Sequence, residues 1–133
     1  MRVANLMVTD LKVVEGDVTV ADAVLVMSDA HISALPVVDP AGRIVGVLST
    51  TDILGAAAEC ASAAERDGLF EETLVEDLMT KKPATVSVDV DVKEAAQQML
   101  YLEIHRLFVL ERGQLVGVIS QSDIVRGVAT AQL

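Results

Sequence analysis

Two short stretches of this 133-residue chain carry side chains whose types and spacing could do chemistry. Gly46-Val47-Leu48-Ser49-Thr50-Thr51-Asp52 recurs 71 residues later as Gly117-Val118-Ile119-Ser120-Gln121-Ser122-Asp123. In each copy a Ser precedes an Asp by three residues, where an apolar run gives way to a helix. A hydroxyl and a carboxylate so placed satisfy the free N–H groups of a helix's first turn, and the same helix end attracts an anion. Capping alone is a sufficient account of either copy. Each copy carries its surroundings with it at a fixed offset, and that makes the pair an internal repeat.

The elements that must position these groups follow from the same overlay. Asn5-Leu6-Met7 is matched 72 residues on by Asp77-Leu78-Met79. Thr19 and Asp91 are N-caps, each with an acid three residues later, Asp22 and Glu94. Behind them Val20, Ala23, Val24 and Met27, then Val92, Ala95, Ala96 and Met99, fall at helical spacing, so both Met residues read as core. The first helix is expected to end near Ala30-His31. Leu35–Val38 and Arg43–Ser49 form a hairpin around Asp39-Pro40-Ala41-Gly42, and Leu107–Leu110 and Leu115–Ser120 form another around Glu111-Arg112-Gly113-Gln114. The offset drops from 72 to 71, a deletion placed between helix and hairpin. Repeat one is thus residues 1–58 and repeat two 75–133. Residues 59–74 are an acidic, Ala-rich helical linker, with a mobile stretch around Asp67-Gly68. The last helix runs from Asp123 to about Ala129. The fold class is α/β, two pseudo-symmetric β-α-β-β-α repeats with small mixed sheets packed against helices.

Composition narrows the function. Half the residues are hydrophobic (52%) but only 2% are aromatic, so the base-stacking platforms of many nucleic-acid modules cannot be built. A net charge of −10 works against a phosphate-backbone surface, and no nucleic-acid partner is expected. No apolar run reaches the ~20 residues that cross a bilayer, and the N-terminus shows no signal-peptide pattern, so the expected location is the cytoplasm, with no membrane partner. The single cysteine, Cys60, allows neither an intrachain disulfide nor a cysteine-rich zinc site.

Ser33-Ala34-Leu35-Pro36-Val37-Val38-Asp39, Ile104-His105-Arg106-Leu107-Phe108-Val109 and the twofold Gly-Val-hydrophobic-Ser-x-x-Asp together resemble tandem cystathionine β-synthase (CBS) domains, the pair called a Bateman module. The resemblance covers about residues 3–129. It implies a regulatory pair with two clefts that take adenosine compounds (AMP, ADP, ATP or S-adenosylmethionine), a homodimer paired through its helices, and a regulated partner protein of unknown identity. Carried over by position, Asp52 and Asp123 match the ribose acceptors, and Ser49 and Ser120 stand at the helix ends suited to phosphate. The resemblance groups Ser49, Asp52, Ile104, His105, Arg106 and Met79 in a first cleft, with His105 and Arg106 on the phosphate. Ser120, Asp123, Ile32, Ser33 and Met7 form the second. The register of His31 is left open by the one-residue slip.

Each contact has a plainer alternative: a cap for the Ser-x-x-Asp boxes, a surface ion pair for Arg106, an exposed histidine for His105. The leading expectation is a sensor of adenine nucleotides without catalysis or cofactor. The alternative is a docking module with vestigial clefts. Catalysis is disfavoured because no phosphate loop with its Lys, no metal-ligand spacing and no nucleophile–histidine set is present, and His31 and His105 are the only histidines.

Overall fold

The computed structural model describes residues 1–130. In chain order the elements are α1 (Val3–Leu6), β1 (Val14–Glu15), α2 (Val20–Ala30), β2 (Ala34–Val38), β3 (Ile44–Ser49), α3 (Thr50–Ala58), α4 (Ala63–Glu71), α5 (Val75–Leu78), β4 (Thr80–Lys81), β5 (Thr85–Ser87), α6 (Val92–Leu102), β6 (Arg106–Glu111), β7 (Gln114–Ser120) and α7 (Gln121–Thr130). They gather into two compact units that cut across the sequence repeats. One is Lys12–Pro83; the other joins Met1–Leu11 to the chain from Ala84 onward.

The 12–83 unit holds a sheet in the order β1-β2-β3-β4, with β1 and β2 parallel and the other pairs antiparallel. Thr19 caps α2 by accepting from the Asp22 N–H at 3.2 Å. The helix ends where His31 turns left-handed (φ 54°) and donates its N–H to Met27 and Ser28. Ala23, Met27, Leu35, Val37, Leu48 and Val75 form the core. Val75 comes from α5, which lies before the second hairpin in sequence. Its segment is tied in by backbone bonds, Val75 N to Val18 O at 2.9 Å and Glu76 N to Gly16 O at 3.0 Å.

The split unit repeats the plan. Its sheet is β5-β6-β7, and Val8 extends it by an antiparallel bridge to Val118, as Thr80 pairs with Val47 in the other unit. Asp91 caps α6 by accepting from Lys93 N at 2.8 Å, and Glu103 ends it left-handed at φ 56°. Val3 of α1 sits in a core with Val86, Val92, Ala95, Met99, Leu107, Val109, Ile119 and Ile124. Both helical Met residues are therefore core, as their spacing requires. Val24 and Ala96, expected on the same faces, are only half-buried.

Pro36 accounts for one difference between the sheets. At the matching position Phe108 donates its N–H to Ala84 O at 3.1 Å, and β5 runs three residues alongside β6. Proline has no N–H to give, and β1 is two residues long, paired with Val37 and Val38 only.

Two expectations need correction. The one-residue deletion lies inside the hairpin turn, because His31 and Glu103 are matched C-caps and Ala34–Ser49 and Arg106–Ser120 are matched pairs. The second hairpin turns tightly on Arg112 and Gly113, both with positive φ, whereas the first spends the extra residue around Asp39, whose carboxylate accepts from Ala41 and Arg43 N–H. The linker is also not one helix with a mobile stretch at Asp67-Gly68. α3 stops at Ala58, Ser62 caps a fresh helix by accepting from Glu65 N, and α4 runs through Asp67 and Gly68. No helix among the described residues is long and apolar enough to cross a membrane.

Candidate functional site

Both Ser-x-x-Asp boxes are closed reciprocal caps. Ser49 Oγ accepts from Asp52 N at 3.1 Å, and Asp52 Oδ2 accepts from Ser49 N at 3.0 Å. Ser120 Oγ accepts from Asp123 N at 3.1 Å, and Asp123 Oδ2 accepts from Ser120 N at 2.9 Å. Each pair thus satisfies two N–H groups at the start of α3 or α7. Both carboxylates stay half-buried and hold one oxygen away from the cap.

What meets that second oxygen differs between the units. Thr80 Oγ1 donates to Asp52, 3.2 Å from Oδ1 and 3.3 Å from Oδ2. Arg126 Nη1 stands 3.5 Å from Asp123 Oδ1 as an ion pair. The position matching Thr80 is Val8, and that matching Arg126 is Gly55. Neither Thr80 nor Arg126 was among the residues expected from the sequence. The signal was available: Met7 and Met79 were matched, and one step further puts Val8 opposite Thr80.

The two Met residues cover the glycines that open the motif. A Cβ added at Gly46 would run into Met79 Sδ and stand 3.0 Å from the Thr80 carbonyl oxygen. At Gly117 it would stand 2.9 Å from both Met7 Sδ and Val8 O. Glycine is required here by close approach rather than by conformation. It lets the Met7–Val8 and Met79–Thr80 segments lie flat on the strand that leads to the Asp.

The expected site residues are distributed as follows. Ser49, Asp52 and Met79 share the 12–83 unit with Ile32 and Ser33, whose carbonyl accepts from Thr50 N at 2.9 Å. Ser120, Asp123 and Met7 share the split unit with Ile104, His105 and Arg106. There Gln121 donates its N–H to His105 O at 2.9 Å and its side-chain amide to Ile104 O at 3.1 Å, and Arg106 pairs with Ser120 across the hairpin. Each expected cleft thus draws members from both units. His31 is exposed, and its backbone closes α2.

A separate, apolar groove of about 690 Å³ lies on the helical side of the 12–83 unit, lined among others by Val24, Met27, Ile53, Leu54, Ala57 and Phe70. His31, Ile32, Thr50 and Thr51 also line it, whereas Ser49 and Asp52 are not among its lining residues. No cluster of metal-ligating side chains occurs among the described residues.

Comparison with known proteins gives this duplicated geometry a context. The CBS domain family model matches the chain twice, over residues 3–59 and 75–130. The chloroplastic CBS domain-containing protein CBSX1 of Arabidopsis thaliana is 29% identical over 138 residues, covering 88% of this chain and 58% of that protein. The chain therefore spans little more than half of that relative's length. The 17.7 kDa protein of the bps2 3′ region of Acidianus ambivalens is 31% identical over 126 residues, 94% of this chain and 71% of that one. Among solved structures, CBSX2 of Arabidopsis thaliana in complex with AMP superposes with a TM-score of 0.81 at 28% identity, covering 96% of each chain. Two family matches, two matched capping boxes and two matched Met-over-Gly contacts lead to one statement: this chain belongs to the CBS domain family and carries the domain twice.

Proposed function

We propose that the chain is a non-catalytic regulatory module that binds an adenosine compound, with AMP the leading candidate, and reports its level to a partner protein. The observation that carries this is the pair of half-buried carboxylates, each fixed by a reciprocal cap with its second oxygen turned away from the cap. A ribose cis-diol presents two O–H donors, and a fixed, charged acceptor is the group that holds them best. Similarity to CBSX2, a protein crystallised with AMP, supports the choice of ligand. In this reading Ser49 and Ser120 mark the helix ends that face anionic ligand groups, Met79, Met7, Ile32 and Ile104 contribute apolar surface for adenine, and His105 and Arg106 supply the phosphate contacts, with Ser33 a further hydroxyl.

The test is a thermal-shift panel of adenosine, AMP, ADP, ATP and S-adenosylmethionine. A ligand at ~100-fold over its Kd adds about 2.7 kcal/mol to stability. At least one compound is expected to raise the melting temperature by several degrees. No response to any of them would replace the sensor by a ligand-free docking module.

We also propose self-association through helical faces. Leu25 and Leu54 in one unit, and Leu100, Tyr101, Val125 and Val128 in the other, are half or more exposed, an apolar content that usually marks an interface. These side chains lie on α2 and α3 in the first unit and on α6 and α7 in the second. Light scattering at micromolar concentration is expected to give a dimer, and a monomer would refute this.

A further inference from the structure

We infer that the two Asp acceptors are unequal, with Asp52 the working diol acceptor and Asp123 held back by Arg126; this rests on the adenosine-binding reading above. The caps are the same in both units, so the difference lies in what faces the remaining oxygen. At Asp52 the neighbour is the Thr80 hydroxyl, 3.2 Å from Oδ1. A hydroxyl donates one bond and still accepts from an incoming O–H, so it joins a ligand's network without being displaced. At Asp123 the neighbour is the Arg126 guanidinium, 3.5 Å from Oδ1. It only donates, and it neutralises the charge that makes the carboxylate a strong acceptor.

The sequence separates these neighbours cleanly. Arg126 sits three residues after Asp123, one helical turn along α7, and Gly55 holds that place after Asp52. Val8 holds the place of Thr80 and has no hydroxyl to add. A diol arriving at Asp123 must therefore share the carboxylate with a cation, and at the position of Thr80 it meets Val8 in place of a hydroxyl. Arg126 is 70% exposed and Asp123 12%, so the ion pair is solvent-screened and its hold modest. The expected handicap is about threefold to tenfold in affinity, which an exchange of the two neighbours should reverse.

The test uses the full chain and adenosine itself, which has no phosphate to recruit other cations. Amide resonances of Ser49–Asp52 and Ser120–Asp123 report the two sites separately during one NMR titration. In the wild type the Asp52 amides are expected to saturate at about threefold to tenfold lower adenosine than the Asp123 amides. Arg126→Ala should tighten the Asp123 site by about threefold, and adding Val8→Thr should bring it close to the Asp52 site. Gly55→Arg should weaken the Asp52 site by a similar factor; nothing lies within 4 Å of a Cβ added there, so this variant is expected to fold. Equal affinities in the wild type, or sites indifferent to both Arg126→Ala and Gly55→Arg, would overturn the inference while leaving adenosine binding intact. Silence at both sites up to millimolar adenosine would instead sink the binding reading, and this inference with it.

Discussion

Replacing Asp52 by Asn separates the two roles of that residue. In the folded chain Asp52 Oδ2 accepts from Ser49 N at 3.0 Å and Thr80 Oγ1 donates to the same carboxylate. Asn keeps a carbonyl oxygen that can take the Ser49 N–H, so the cap survives. What is lost is a negative charge near a helix N-terminus, about 0.3–1 kcal/mol. Asp52→Ala loses the cap bond and the Thr80 bond together, about 1–2 kcal/mol. For adenosine the charge itself matters more. Hydrogen bonds to a charged acceptor contribute about 1.5–3 kcal/mol against 0.5–1.5 for a neutral one, and a ribose makes up to two of them. Asp52→Asn should thus weaken adenosine about tenfold or more at the Asp52 site while leaving stability within about 1 kcal/mol of wild type. Urea denaturation and the site-resolved titration measure the two quantities. Adenosine binding within twofold of wild type in the Asn variant would show that Asp52 is a cap and nothing else.

Arg106→Ala is expected to weaken AMP roughly tenfold to a hundredfold more than it weakens adenosine, the range of one charge-assisted contact to phosphate; equal calorimetric losses for both ligands would remove Arg106 from the phosphate. Gly46→Ala would press a Cβ against Met79 and the Thr80 carbonyl oxygen, and about 1–3 kcal/mol of stability should go with it, together with some adenosine affinity because Thr80 is displaced from Asp52. The Asp89 carboxyl is held below its ordinary value of 3.8, chiefly by the Ser87 hydroxyl 2.6 Å away and then by a bond from its own N–H, with Arg2 a minor aid. A carboxyl so lowered stabilises the fold above that ordinary value, and the contribution is lost as pH falls through the lowered one. Asp89→Asn should therefore cost a little stability at neutral pH, change nothing once pH lies below the lowered value, and so flatten the acid limb between them in urea denaturation.

Much of this architecture is legible in the residues because local chemistry decides it. Ser49, Ser120, Thr19 and Asp91 announce helix starts, since few side chains can take up a free N–H in the first turn. Val20, Ala23 and Met27, like Val92, Ala95 and Met99, bury one helical stripe because apolar surface at that spacing has one place to go. The duplicated order of these signals is also what identifies the family from the chain alone. The misplaced deletion shows the limit of that method. The residues say that one is missing between Met99 and Gly117, but only the pairing of Arg106 with Ser120 puts the gap in the turn.

Tertiary structure decided what the repeat boundaries hide. Val3 completes the core built from residues after Ala84, and Val75 completes the core built from residues before it, so that each unit is finished by the segment that opens the other repeat. A one-turn helix of four residues cannot persist alone, and its place is chosen by the sheet edge and apolar gap that accept it, at long range. Thr80 reaches Asp52 across 28 residues for the same reason: the β3–β4 pairing, made possible by Gly46, carries it there. Arg126 reaches Asp123 by helical spacing and could have been read from the sequence. The sequence by itself determined the caps, the helical stripes and the duplication, because these are settled within a turn or two of chain. That the Thr80 hydroxyl faces Asp52 depended on how distant strands paired, and strand pairing joins residues that the sequence keeps apart.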